Sequence, residues 1–124
     1  MSSNPPNFRT DIYRGEIYWV DWSPGRGSEQ TGVRPGLIVQ TDQGNTNARY
    51  NNIIVLAISR QGSLRILTHV YLEPTAENGL TDPSYVKSEQ ILTISKDRIL
   101  ERIGKLTDED MADVDTAIKR ALSL

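Results

Sequence analysis

Arg34 and Ser59 are the residues of this 124-residue chain best suited, by type and position, to do chemistry. Arg34 stays charged at any useful pH and presents a planar fork of donors that suits phosphate oxygens. Ser59 ends the apolar run IIVLAIS (residues 53–59), at the point where it meets a polar segment starting with Arg60. A guanidinium and a hydroxyl converging on one phosphodiester would hold it and stabilise charge on its oxygens during transfer. No metal is needed if the substrate brings its own nucleophile, as RNA does with its 2′-hydroxyl. The same residues admit a plainer arrangement, with Arg34 paired to Glu29 or Asp42 at a strand entrance and Ser59 capping a strand.

The rest of the inventory removes alternatives. One histidine and no cysteine exclude Cys- and His-rich metal sites, cysteine nucleophiles and a two-histidine ribonuclease. No GxxxxGK[ST] loop and no G-x-G-x-x-G after a strand is present, so no nucleotide cofactor is expected. His69, inside an alternating strand, is expected as a half-buried partner of a neighbouring group. The acidic run at residues 108–110 falls in the first turn of a helix, where the dipole accounts for it, and no metal site is expected.

Strands must position the pair. Residues 16–22 (EIYWVDW) are aromatic and β-branched, and SPGRG closes them; residues 36–41 (GLIVQT) follow a loop ending in Arg34 and Pro35. Residues 53–59, 68–74 and 86–94 also read as strands, and residues 60–67, with Gly62 and Ser63 at the centre, as a mobile turn. Thr107, three places before Asp110, opens a helix whose apolar stripe is Met111, Val114, Ile118, Ala121 and Leu122. Five or six short strands and a terminal helix predict a mainly β fold, a small curled antiparallel barrel or half-barrel. Residues 1–13 are expected as a flexible lead-in and 14–124 as one domain.

Composition agrees with a globular cytoplasmic protein without a secretory signal or membrane span. Residues 1–72 hold seven Lys and Arg against five Asp and Glu; residues 73–124 hold seven against eleven. A polyanion partner is therefore expected on the first half.

The stretch RGEIYWVDWSPGRGSEQTGVRPGLIVQTD (14–42) resembles the opening of the MazF/PemK-type toxins, endoribonucleases of toxin–antitoxin pairs. IIVLAIS (53–59), THVYL (68–72), GLTDPSYVKSEQILTISKDRI (79–99) and IGKL (103–106) extend the likeness over nearly the whole chain. The resemblance implies an SH3-like barrel with a C-terminal helix, a homodimer, and sequence-specific cleavage of single-stranded RNA (mRNA). That cleavage needs no metal or cofactor and leaves 2′,3′-cyclic phosphate and 5′-hydroxyl ends. It implies catalytic roles for Arg34 and Ser59, with Glu29 a further candidate, and RNA contacts from Arg26, Gly27, Ser28, Gln30, Arg60, Arg65 and Gln90. It also implies a cognate antitoxin whose flexible acidic tail lies across the groove. Two departures stand out: Ser59 replaces a usual threonine, and Leu92 stands where relatives often carry arginine, a charge that Arg26, Arg60 or Arg65 could replace. Two other readings use the same barrel: a non-catalytic toxin of the gyrase-poisoning kind or inactive relative, and a peptide-binding module using Tyr18, Trp19 and Trp22.

Overall fold

A computed structural model describes residues 7–23 and 31–124. The elements in chain order are β1 (Glu16–Asp21), β2 (Val33–Ile38), α1 (Asp42–Asn45), β3 (Asn52–Ser59), β4 (His69–Leu72), β5 (Ser84–Ser95), β6 (Ile99–Lys105) and α2 (Asp108–Leu122). Neighbouring strands are antiparallel, in the order β4-β5-β3-β2-β1-β6.

Alternation along each strand divides the apolar residues between two faces. Tyr18, Val20, Ile38, Ile53, Val55 and Ala57 belong to one core cluster, with Ile12, Trp22 and Ile99. Ile17, Leu37, Leu56, Ile58 and Val86 belong to the other, which α2 covers through Val114. Burial on both faces explains the unbroken apolar runs of β2 and β3. The N-cap half of the capping box expected for α2 is present: the Thr107 hydroxyl accepts the Asp110 N–H at 3.1 Å.

The fold is mainly β with a terminal helix, as expected, but its closure is not a strand ladder. The order ends at β4 and at β6, and among the described residues no ladder joins them. The β4–β5 connection bridges the gap, with the Lys105 N–H donating to the Glu77 carbonyl at 3.0 Å. A Cβ on Gly79, whose φ is +68, would stand 2.1 Å from the Ile103 carbonyl oxygen; one on Gly104 would stand 2.4 Å from that of Glu77. Glycine is what lets these backbones meet.

β6 was not legible as an element. It is mostly exposed, contains Gly104 and pairs with β1 through two register shifts, so no alternation marks it. Residues 8–12 join the body: the Phe8 N–H donates to the Ala48 carbonyl at 2.8 Å, and Ile12 is fully buried. Among the described residues no helix is long and apolar enough to cross a membrane.

Candidate functional site

The site begins where a ladder stops. β2 and β3 pair at Gly36↔Ala57, Leu37↔Leu56 and Ile38↔Val55. Continuing that register by two residues sets Arg34 opposite Ser59, on one face of the sheet. Between them Pro35 has no N–H to give, so it cannot extend the ladder. On its other side β2 stays paired to β1, at Val20↔Arg34 and Trp19↔Pro35. Arg34 and Pro35 therefore lie inside β2 rather than before it; the apolar run alone had placed the start at Gly36.

A cavity of about 710 Å³ opens at this end, lined among others by Trp19, Arg34, Ser59, Arg60, Asp82 and Lys87. The backbone of Arg34 is braced from below, since the Trp22 indole N–H donates to its carbonyl at 3.1 Å. Trp22 is buried and leaves no room for a side chain at Gly36, whose Cβ would come within 2.9 Å of the indole. Asp42 is occupied elsewhere, accepting the Arg14 N–H at 2.6 Å and the Asn45 amide at 3.1 Å. Among the described residues, no carboxylate pairs with the Arg34 guanidinium.

Ser59 does cap its strand, its Oγ accepting the Gln61 N–H at 3.1 Å. The bond leaves the hydroxyl proton available and restrains the oxygen in place of a threonine methyl.

The segment after Ser59, expected as a mobile turn, is bonded at both ends. The Ser63 N–H donates to His69 Nδ1 at 3.2 Å, the His69 N–H to the Ile66 carbonyl at 3.0 Å, and His69 Nε2 meets Glu89 at 3.2 Å. With Nδ1 accepting, Nε2 carries the proton and donates to the carboxylate. Thr68 donates to the same carboxylate at 3.0 Å. Burial works to raise the Glu89 carboxyl, but its own backbone amide, His69 and Thr68 outweigh it and hold it below the ordinary value. Gly62 lets the turn cross the Tyr85 ring, which a Cβ would approach to 2.5 Å.

The structure thus brings Arg34, Ser59 and Arg60 together. Arg60 is partly spent, its Nη1 lying 3.6 Å from Asp82 with both side chains exposed. Arg65 and Gln90 are not among the residues lining the cavity. Gln90 falls in an irregularity of β5: Leu56 faces Ile91 while Ala57 faces Lys87, leaving residues 88–90 unmatched on β3. Arg26, Gly27, Ser28, Glu29 and Gln30 lie outside the described residues. Leu92 packs on the core rather than toward the cavity. Tyr18 and Trp22 are core; Trp19 is 41% exposed and lines the cavity. Sequence reasoning missed Lys87, Trp22 and Asp82 as parts of the site. A lone lysine two places after Tyr85 in an apolar strand was the available signal for Lys87.

A family model of PemK-like, MazF-like toxins of type II toxin–antitoxin systems matches residues 13–122. An Endoribonuclease MazF of Staphylococcus saprophyticus is 41% identical over 113 residues, spanning 90% of this chain and 91% of the relative. A solved endoribonuclease in complex with its cognate antitoxin, from a mycobacterial species, is 26% identical with a TM-score of 0.74, over 91% of this chain and 96% of that one. The MazF of Deinococcus radiodurans, 18% identical with a TM-score of 0.75 over 91% and 97% of the two chains, shares the fold.

Proposed function

Because this chain belongs to the PemK-like, MazF-like toxins of type II toxin–antitoxin systems, we propose that its groove cleaves single-stranded RNA by metal-independent phosphoryl transfer. The observation that carries the reading is the register that sets Arg34, with no carboxylate partner among the described residues, opposite a hydroxyl at the mouth of one cavity. In this mechanism the 2′-hydroxyl of the substrate loses its proton as its oxygen attacks the adjacent phosphorus, the bond to the 5′-oxygen breaks, and that oxygen takes up a proton. The products are a 2′,3′-cyclic phosphate and a 5′-hydroxyl. Arg34 binds the non-bridging oxygens and stabilises the charge that gathers on them, and the Ser59 hydroxyl donates to the same phosphate. Arg34 is not the base, because a guanidinium does not give up its proton. In this reading Arg26, Gly27, Ser28, Glu29 and Gln30 contact the RNA near the scissile phosphate, with Glu29 a further catalytic candidate, and Arg65 and Gln90 contact flanking RNA.

Restraint of such an activity in the cytoplasm needs a partner. A flexible acidic antitoxin segment would lay carboxylates on the cations of the groove and exclude RNA. A two-fold dimer would place two basic first halves along one face. A monomer by sedimentation at micromolar concentration would count against that assembly.

Catalysis is tested by single-turnover cleavage of a labelled RNA in excess chelator. The wild type should cleave, and Arg34→Ala should be slower by about 10²–10³. Wild-type rates in Arg34→Ala would remove the assignment; loss of all activity on chelation would remove the metal-free mechanism.

A further inference from the structure

Lys87 stands in β5, an interior strand, opposite Ala57 of β3 on one side and His69 of β4 on the other. Lysine is depleted in strands, and an interior position crowds it from both sides. Its face explains it. The register Gly36↔Ala57↔Lys87 lies one row from Arg34 and Ser59, and alternation puts all three functional side chains on the same side of the sheet. Lys87 and Ser59 are diagonal neighbours on adjacent strands, with Cβ atoms roughly 7–8 Å apart, and Arg34 stands one strand further across Ser59. Ala57, the residue between Lys87 and β2, has the least side chain to obstruct the lysine stem. Lys87 also lines the cavity that holds Arg34 and Ser59.

The charges around it separate its role from that of its neighbours. Arg60 is paired with Asp82, and Glu89 is taken by His69 and Thr68. Among the described residues, Lys87 has no carboxylate within 4.0 Å. An ammonium on a flexible stem is a point charge, suited to a phosphate that must be held but not oriented. We propose that Lys87 is a second phosphate subsite, binding the RNA phosphate next to the scissile one and so fixing the register in which the strand meets Arg34. The inference rests on the reading of the groove as an RNA-cleaving site.

The test uses the full chain and an RNA carrying a 2′-deoxy nucleotide at the cleavage position, which binds without reacting. Binding is measured against KCl concentration for wild type, Lys87→Met, Lys87→Gln and Lys87→Arg. Loss of one phosphate contact on a single strand lowers the slope of log affinity against log salt by about 0.7. Both neutral variants should show that loss and bind several-fold more weakly at low salt. Their kcat/KM should fall together with the lost binding, and Lys87→Arg should restore both the slope and the affinity. Two neutral variants separate charge from packing, because Met keeps the stem and Gln keeps polarity. Unchanged slopes in both, with wild type still cleaving, would overturn the subsite alone. A wild type that neither binds nor cleaves RNA would overturn the subsite and the reading beneath it together.

Discussion

Two lysines at the two ends of β5 behave in opposite ways. Lys96, just past its C-terminal end, is 1% exposed, and the carbonyls of Arg9, Gly44, Asn45 and Asn47 share its three N–H donors at 3.0–3.2 Å. Lys87, near its start, is half-buried and faces the cavity with no carboxylate partner among the described residues. The contrast extends to the arginines. Arg9 donates to the Ile99 carbonyl at 2.7 Å, Arg14 pairs with Asp115 at 2.5 Å, and Arg102 pairs with Glu16 at 2.7 Å. Arg98 donates to the carbonyls of Asp21 and Ser23. Arg34 has no such side-chain partner among the described residues. Cations whose donors are consumed by the chain hold the fold together. Cations whose donors remain open, on one face around one cavity, are available to a ligand.

That division can be broken most sharply at Lys96. Lys96→Met removes the donor from four carbonyls, and an unpaired buried acceptor costs roughly 1–3 kcal/mol. A total of about 3 kcal/mol is expected from urea midpoints. Lys87→Met should melt within about 0.5 kcal/mol of wild type, as surface-like changes do. If both variants unfold alike, the distinction between structural and open cations fails.

Ser59 sharpens the groove side. Its donor to a charged phosphate is worth roughly 1.5–3 kcal/mol, so Ser59→Ala should lower kcat about 10- to 100-fold with little change in melting. Ser59→Thr should match or exceed wild type, since the hydroxyl stays and the methyl restricts it. An Ala variant at full rate would reduce Ser59 to the strand cap that its bond to Gln61 already makes it.

Much of this site was legible because its residues carry uncommon chemistry. A charged fork beside a proline, and a hydroxyl closing an apolar run, are local signals. The N-cap of α2 was likewise local, needing only Thr107 and Asp110. What escaped was relational. That Lys87 shares a face with Arg34 depends on the register of three strands and on the irregularity at residues 88–90. The Trp22 brace under Arg34 depends on Gly36 leaving room for an indole. β6 escaped because an exposed, glycine-containing edge strand has no apolar period, and closure escaped because a loop makes it through Glu77. Gln90 sits within the right motif, but the motif could not say which way an irregular strand would carry it.

The smallest expected effect concerns the rim of the groove. Glu89 secures the turn after Ser59 through His69 and Thr68, and its side chain is 38% exposed. Its carboxyl is held below the ordinary value of 4.5 in the fold. A carboxylate favoured in this way contributes stability that is fully present above about pH 4.5 and is lost as pH falls through the lower folded value. Solvent screening keeps the contribution under about 1 kcal/mol. Glu89→Gln should therefore lie slightly below wild type at pH 7, and the two urea midpoints should converge by about pH 3. The amide can still accept one of the two bonds, so cleavage at neutral pH should change less than two-fold. Parallel midpoints from pH 7 to pH 3 would show that the carboxylate does not hold the turn. The turn's geometry would then rest on the Ser63 bond to His69 and on Gly62 crossing Tyr85, and the rim would be as self-contained as the Lys96 end of the molecule.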